Sequence, residues 1–210
     1  MPIITLPTTL KLGPQCGLGQ RRFDLLVASD STGASQVRLL APPRWTLALV
    51  QPDKLTLPEA GAWAALLVQL RGRANVLAAW DPVRQAPLGT LRGVLTLAAI
   101  APAGATAATL AGGAGQAGAT LLAGDWLQIA TGLGSSQLVM NTGDAVADGA
   151  GNIAINFEPP LRLAYAAATA VRWDKALAYY RAQADAVSWR YAGRGLLATG
   201  MAMDLLETWQ

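Results

Sequence analysis

The chain has 210 residues and a mass of 21.8 kDa, the size of one large domain or of one domain carrying a smaller insert. Hydrophobic residues make up 52% and charged residues only 14%, well below the roughly 25% of an average soluble domain. With no His and one Cys, Cys16, the composition excludes His-based triads, most zinc sites and an internal disulfide framework. The net charge is +3 and the pI near 9.4, yet the basic residues are scattered. The densest spots are Arg21-Arg22 and Arg71-Gly72-Arg73, and thirteen Arg stand against three Lys. Arg in this dispersed form suits bidentate pairing at interfaces better than a diffuse phosphate field, so no nucleic-acid specificity is expected.

Residues 1–50 read as β-structure. Met1–Leu12 lacks the charged start and long apolar stretch of a secretory leader. Phe23–Val27 is a short apolar run, Ser29–Gly33 a turn cluster, and Gln36–Leu40 a second strand ending at Pro42-Pro43. Trp45, Leu47 and Leu49 then alternate on one face of a third strand. Residues 58–71 form the clearest helix. Thr56 caps it, Pro58 fits its first turn, Glu59 suits its positive end, and Gly72 stops it. Trp63, Leu66, Leu67 and Leu70 give it one apolar face, which is expected to cover a sheet. Asn75–Trp80 is a strand closed by the turn Asp81-Pro82, Ala86–Thr90 a loop, and Leu91–Ile100 a further strand.

Residues 93–161 change character, with short apolar runs between Gly turns. Residues 94–122 carry no charge, but Pro102 and five Gly break them, so no membrane insertion is expected. Strands are expected over residues 121–129, with a turn inside, and over Ser136–Met140 and Ile153–Phe157, with a tight turn at Asp148-Gly149. This stretch reads as an inserted β-rich subdomain. Over Asp174–Ala186 two readings stand side by side. Ala, Leu, Lys, Gln and Arg give helical propensity, whereas a hairpin context favours a strand. Beyond it, Val187–Tyr191, a turn at Gly193 and Gly195, and a final apolar run read as strands. No internal repeat is evident.

Several motifs invite chemistry and are better explained otherwise. Gly112, Gly113, Gly115 and Gly118 lack the Lys and hydroxyl that end a phosphate loop. Gly132–Ser136 does not match a nucleophile elbow and has no His to serve as base. Asp144 and Asp148 flank a turn and only loosely resemble a cation loop. Cys16 has no partner and reads as a small apolar filler or an exposed thiol. No catalytic, cofactor or metal residue is therefore assigned. Of the seven Trp, Trp45, Trp63 and Trp80 are expected in the core. Trp126, Trp173, Trp189 and Trp209 are undetermined, with core packing the default and a sugar platform or protein interface the alternative.

An ordered set of segments carries a resemblance. Arg44–Leu49 is a Trp-led strand, followed by the helix Ala60–Arg73, Asp81-Pro82 and Pro87–Gly89. Then come Leu122–Leu127, Asp148–Gly151, Phe157–Arg162, Ser188-Trp189 and Met203–Glu207. Over about residues 40–207 this order resembles distal-tail and baseplate-hub proteins of long-tailed bacteriophages. The resemblance implies a mainly β fold with one main helix. Residues 1–92 plus 162–210 would form a β-sandwich-like ring domain, and residues 93–161 an inserted small β-barrel or sandwich facing outward. It also implies a non-enzymatic virion protein without cofactor or metal, made in the bacterial host cytoplasm. Such a protein forms a homo-oligomeric ring, usually of six copies, that joins the tail tube to the tip and contacts other baseplate proteins. The alternative is a carbohydrate-binding or host-adhesion module using Trp126 and Trp189, with a carboxylate-pair hydrolase behind it.

Overall fold

Six strands form the first sheet of the computed structural model, which describes residues 2–186, 188, 190–192, 197–199 and 201–210. In chain order the sheet uses β1 (Ile3–Thr5), β2 (Gly17–Ala28), β3 (Ser35–Val50) and β4 (Val76–Trp80). The helix α1 (Leu57–Leu70) lies between the last two. The chain then leaves the sheet and builds β5 (Leu95–Leu97), β6 (Ala107–Ala111), β7 (Thr120–Leu121) and β8 (Trp126–Ile129). It continues through β9 (Gln137–Asn141), β10 (Ala145–Val146), β11 (Asn152–Glu158) and β12 (Ala170–Arg172). It returns as β13 (Leu177–Ala182), followed by β14 (Arg190–Ala192), β15 (Leu197–Thr199) and β16 (Ala202–Glu207). The sheet order is β1-β4-β13-β16-β3-β2, with β1 parallel to β4 and the other pairs antiparallel. Strands β11, β6, β5, β12, β8 and β9 close into a barrel, while β7–β10 and β14–β15 are two-stranded pairs. The protein is thus mainly β, with one α-helix among the described residues and a closed six-stranded barrel.

Local chemistry explains α1. Glu59 reaches back to accept the Thr56 backbone N–H at 2.9 Å, which satisfies a donor the helix leaves free. Lys11 pairs with Glu59 at 2.6 Å. Lys11 and the Thr56 N–H hold the Glu59 carboxyl down at about 2. Arg71 and Gly72 both take left-handed dihedrals and end the helix. Trp63, Leu66, Leu67 and Leu70 join one core with Leu47, Leu49, Leu77 and Leu205. The Trp63 indole N–H donates to the Lys11 carbonyl at 2.8 Å, tying the N-terminal segment to the helix.

Two sequence readings are settled here. Pro42-Pro43 does not end a strand, because β3 runs unbroken through it. The register explains why. β16 pairs with β3 only at Thr46–Val50, and the β2 ladder is irregular between Arg21 and Phe23, opposite the two prolines. Neither proline therefore sits where a ladder N–H is required. Over residues 174–186 the strand reading holds, since β13 pairs with β4 on one side and β16 on the other. Backbone pairing on both edges outweighs a modest helical preference.

In the stretch expected as a strand from Leu91 to Ile100, only Leu95–Leu97 is one. Leu91 is buried in a loop, and Gly93 turns the chain with a φ of 90°. The barrel strands begin at Leu95 and end at Arg172, past the residue 161 at which the sequence reading closed the insert. Strand β12 offers three residues and one buried side chain, Val171, so no alternation marks it. Val187, Trp189 and the turn at Gly193 and Gly195 lie outside the described residues.

Candidate functional site

Strands β2 and β3 extend past the rest of the sheet as a two-stranded arm. Its partners include Leu26 with Val37 and Leu25 with Arg38. On the arm Leu25, Leu26, Val27, Val37, Leu39 and Leu40 are 48–65% exposed. Successive strand residues face opposite sides, so apolar groups stand on both faces. Among the described residues, no strand pairs with the second edge of β3 from Ser35 to Arg44, because β16 covers only Thr46–Val50. An apolar ribbon with an open edge is a template for pairing with another chain.

The second candidate region is the junction of sheet and barrel. Trp45 of β3 and Trp126 of β8 meet edge to face, with centroids 4.8 Å apart. The Trp45 indole donates to the Leu138 carbonyl at 2.8 Å, and the Trp126 indole to Asp81 Oδ2 at 2.9 Å. Asp81 Oδ1 also accepts the backbone N–H of Val83 and Arg84. Asp125, 2% exposed, accepts three backbone N–H groups, from Leu88 at 2.7 Å, Gly89 at 3.2 Å and Leu122 at 2.8 Å. The tertiary structure therefore brings Leu122–Leu127 against Asp81-Pro82 and Pro87–Gly89, which lie 36 to 45 residues earlier in the chain at the bonded positions.

A further cluster lies at the same junction. Arg44 and Arg162 stack on the Trp209 ring, each 4.6 Å from its centroid. Beside them Glu207 is buried and accepts the Trp45 backbone N–H at 3.0 Å. Burial pushes the Glu207 carboxyl up to about 7, against the opposing pull of the Trp45 N–H, Trp209, Arg162 and Arg44. Sequence reasoning missed this cluster. Its only signal was alternation along Met203, Leu205 and Glu207, which puts Glu207 on the buried face.

The residues singled out in the sequence fall into structural places. Gly112 and Gly113 lead into a 3-10 turn, Ala114–Gln116, and the Gly112 N–H donates to the Gly151 carbonyl at 2.9 Å. Ser135 Oγ donates to the Thr131 carbonyl at 2.6 Å, and Ser136 is buried. Asp144 accepts the Ala123 N–H, while Asp148 accepts those of Ala150 and Asn152. The Asn152 N–H, first among these, lowers the Asp148 carboxyl. Among the described residues no three His, Cys, Asp or Glu side chains are gathered to hold a metal. Cys16 donates to the Val50 carbonyl at 3.2 Å and borders a cleft of about 260 Å³. Leu6, Leu10, Leu12, Trp80 and Val83 line that cleft too, and its walls hold no charged side chain. Trp45, Trp63 and Trp80 are core residues, and so is Trp126, which removes it as a sugar platform. Trp173 and Trp209 are half-buried. No helix among the described residues is long and apolar enough to cross a membrane. No protein-family model matches the chain, and no curated protein matches its sequence.

Proposed function

We propose that this chain is a structural virion protein of a bacteriophage tail, forming a homo-oligomeric ring where the tail tube meets the tip. Its mechanism is shape and interface complementarity, and no catalytic step belongs to it. The reading starts from the resemblance of residues 40–207 to distal-tail and baseplate-hub proteins. The observation that carries it furthest is the β2–β3 arm, with six large exposed apolar side chains and an edge that no strand among the described residues pairs with. These side chains are already partly covered, so each one that an assembled neighbour buries completely contributes about 1 kcal/mol.

The two outer strands of the sheet are different, β1 on one side and β2 on the other. Contact between unlike surfaces is head-to-tail, and such contacts close into rings when the rotation permits. The ring is proposed to be hexameric, with the tube protein and other tip proteins as neighbours. The insert, drawn at 93–161 in the sequence, serves as its peripheral module. The burial of Trp126 weighs against the carbohydrate-binding alternative.

Light scattering across a concentration series tests this. The expected result is a fixed multiple of 21.8 kDa, near six. The double substitution Leu26→Asp and Val37→Asp alters two exposed, cross-strand side chains, so the chain should stay folded and become monomeric. A wild-type chain that remains a monomer throughout, with the arm variant behaving identically, would sink the proposal.

A further inference from the structure

The chain carries a second apolar surface, distant from the arm and complementary to it. The cleft of about 260 Å³ beside Cys16 is walled by Leu6, Leu10, Leu12, Trp80 and Val83. It is smaller than the roughly 300–1,000 Å³ of most small-molecule sites, and no charged side chain lines it to orient such a ligand. A few apolar side chains suit it better. One cation stands at its rim, where Lys175 Nζ lies 5.5 Å from the centroid of the Trp80 ring. The Lys175 backbone N–H donates to the carbonyl of Gln85, another cleft residue, at 2.6 Å. Lys11 and Arg84 adjoin cleft residues too, but Glu59 and Asp81 match them. Among the described residues no carboxylate comes within ion-pair distance of Lys175.

The two faces of the arm differ in charge. Residues directly across a ladder share a face. Asp24 with Leu39, Leu26 with Val37 and Ala28 with Ser35 therefore stand on one face, whose one charge is Asp24. Leu25 with Arg38 and Val27 with Gln36 stand on the other. Asp24 is exposed, and among the described residues no cation comes within ion-pair distance of it. An acid beside Leu26, Val37 and Leu39 suits an apolar cleft with a cation at its rim, whereas the opposite face would bring Arg38 to Lys175 as a like charge.

Neither surface can serve the other within one chain. Cys16 directly precedes β2, and Leu26 lies along that strand about 30 Å from Gly17 at the usual rise per residue. The two surfaces therefore meet between copies, and being unlike they join head to tail. We propose that the arm face bearing Asp24, Leu26, Val37 and Leu39 seats in the cleft of a second copy, with Asp24 beside the partner's Lys175. This rests on the ring reading for the presence of a second copy, and adds which surfaces meet.

Cross-linking of the full chain tests the contact. Ser35→Cys puts a thiol on the proposed arm face and leaves the three apolar side chains intact, and Cys16 is the one native thiol. A short bis-maleimide should join the arm thiol to Cys16 of the next copy and give a ladder of multimers. Adding Cys16→Ala should abolish the ladder. Charge exchange tests the pairing, read by light scattering across concentrations. Asp24→Lys and Lys175→Glu should each weaken association about tenfold, and the two together should bring it back to within about threefold of the wild type. A wild type that stays monomeric throughout overturns the ring reading and this contact together. An assembled wild type leaves the ring standing and overturns the contact alone in either of two cases. One is cross-linked dimers that persist with Cys16→Ala, which place arm against arm. The other is a double charge exchange that restores nothing. Should Cys16 not react, the charge exchange decides alone.

Discussion

Trp45 and Trp126 cross edge to face at 82°, one from the sheet and one from the barrel, and each indole N–H is spent on the neighbouring segment. Their contact makes the junction part of the main core, which includes Trp126 and Leu138 alongside Leu47 and Leu49. Edge-to-face pairs add about 0.5–1.5 kcal/mol beyond the area they bury. The sheet and barrel are consequently expected to unfold together.

Trp126→Ala removes a large buried ring and should destabilise by about 3–5 kcal/mol. Trp126→Phe keeps most of the ring but strips Asp81 Oδ2 of its indole donor, at a cost of about 1–3 kcal/mol. Urea unfolding followed by circular dichroism measures both. Unchanged midpoints would mean that the junction bears no stability.

Asp125 anchors the loop at Leu88 and Gly89 to the turn at Leu122. Gly89 is buried while Leu88 is exposed and Leu122 half-buried, and a buried N–H left without an acceptor costs about 1–3 kcal/mol, so Asp125→Ala should lower stability by about 1–3 kcal/mol. A melting temperature within a degree of the wild type would contradict this.

Gly151 has a φ of 81°, and a Cβ there would collide with the Gly113 carbonyl. Gly149, two residues away, has open space around it. Gly151→Ala should therefore cost more than about 2 kcal/mol, through strain and collision together, whereas Gly149→Ala should fall within about 1 kcal/mol of the wild type. Equal melting temperatures for the two variants would refute the packing argument.

Two carboxyls make stability depend on pH with opposite signs. Glu207 is raised from 4.5 to about 7, so its contribution is fully present below about 4.5 and is lost as pH rises through about 7. The full swing is about 3 kcal/mol, and Glu207→Gln should abolish it. Glu59 is lowered to about 2, so its support of α1 is present above 4.5 and is lost as pH falls through about 2. Denaturant titrations between pH 5 and 8 should therefore show the wild type weakening and Glu207→Gln holding level.

Elements with a strong local signal were legible from residues alone. Thr56, Glu59 and Gly72 bracket the helix, and its apolar spacing names the four side chains it buries. Alternation marked Trp45–Val50 and Ile153–Phe157, and Gly turns separated the barrel strands. Where a strand is three residues long, as in Ala170–Arg172, no periodicity exists to read. Across Pro42-Pro43 the local rule pointed the wrong way, because it could not include a ladder irregularity on the neighbouring strand.

The sequence by itself determined the class of the fold, the helix and the apolar faces, because capping, turn chemistry and side-chain period act within a few residues. It also determined that no His-based chemistry is present. Only the tertiary structure decided that residues 177–182 are a strand, that Trp126 is core, and that Glu207 is enclosed by Arg44 and Arg162. Those outcomes depend on partners tens to more than a hundred residues away. Backbone pairing, close packing and desolvation arise only where distant segments meet.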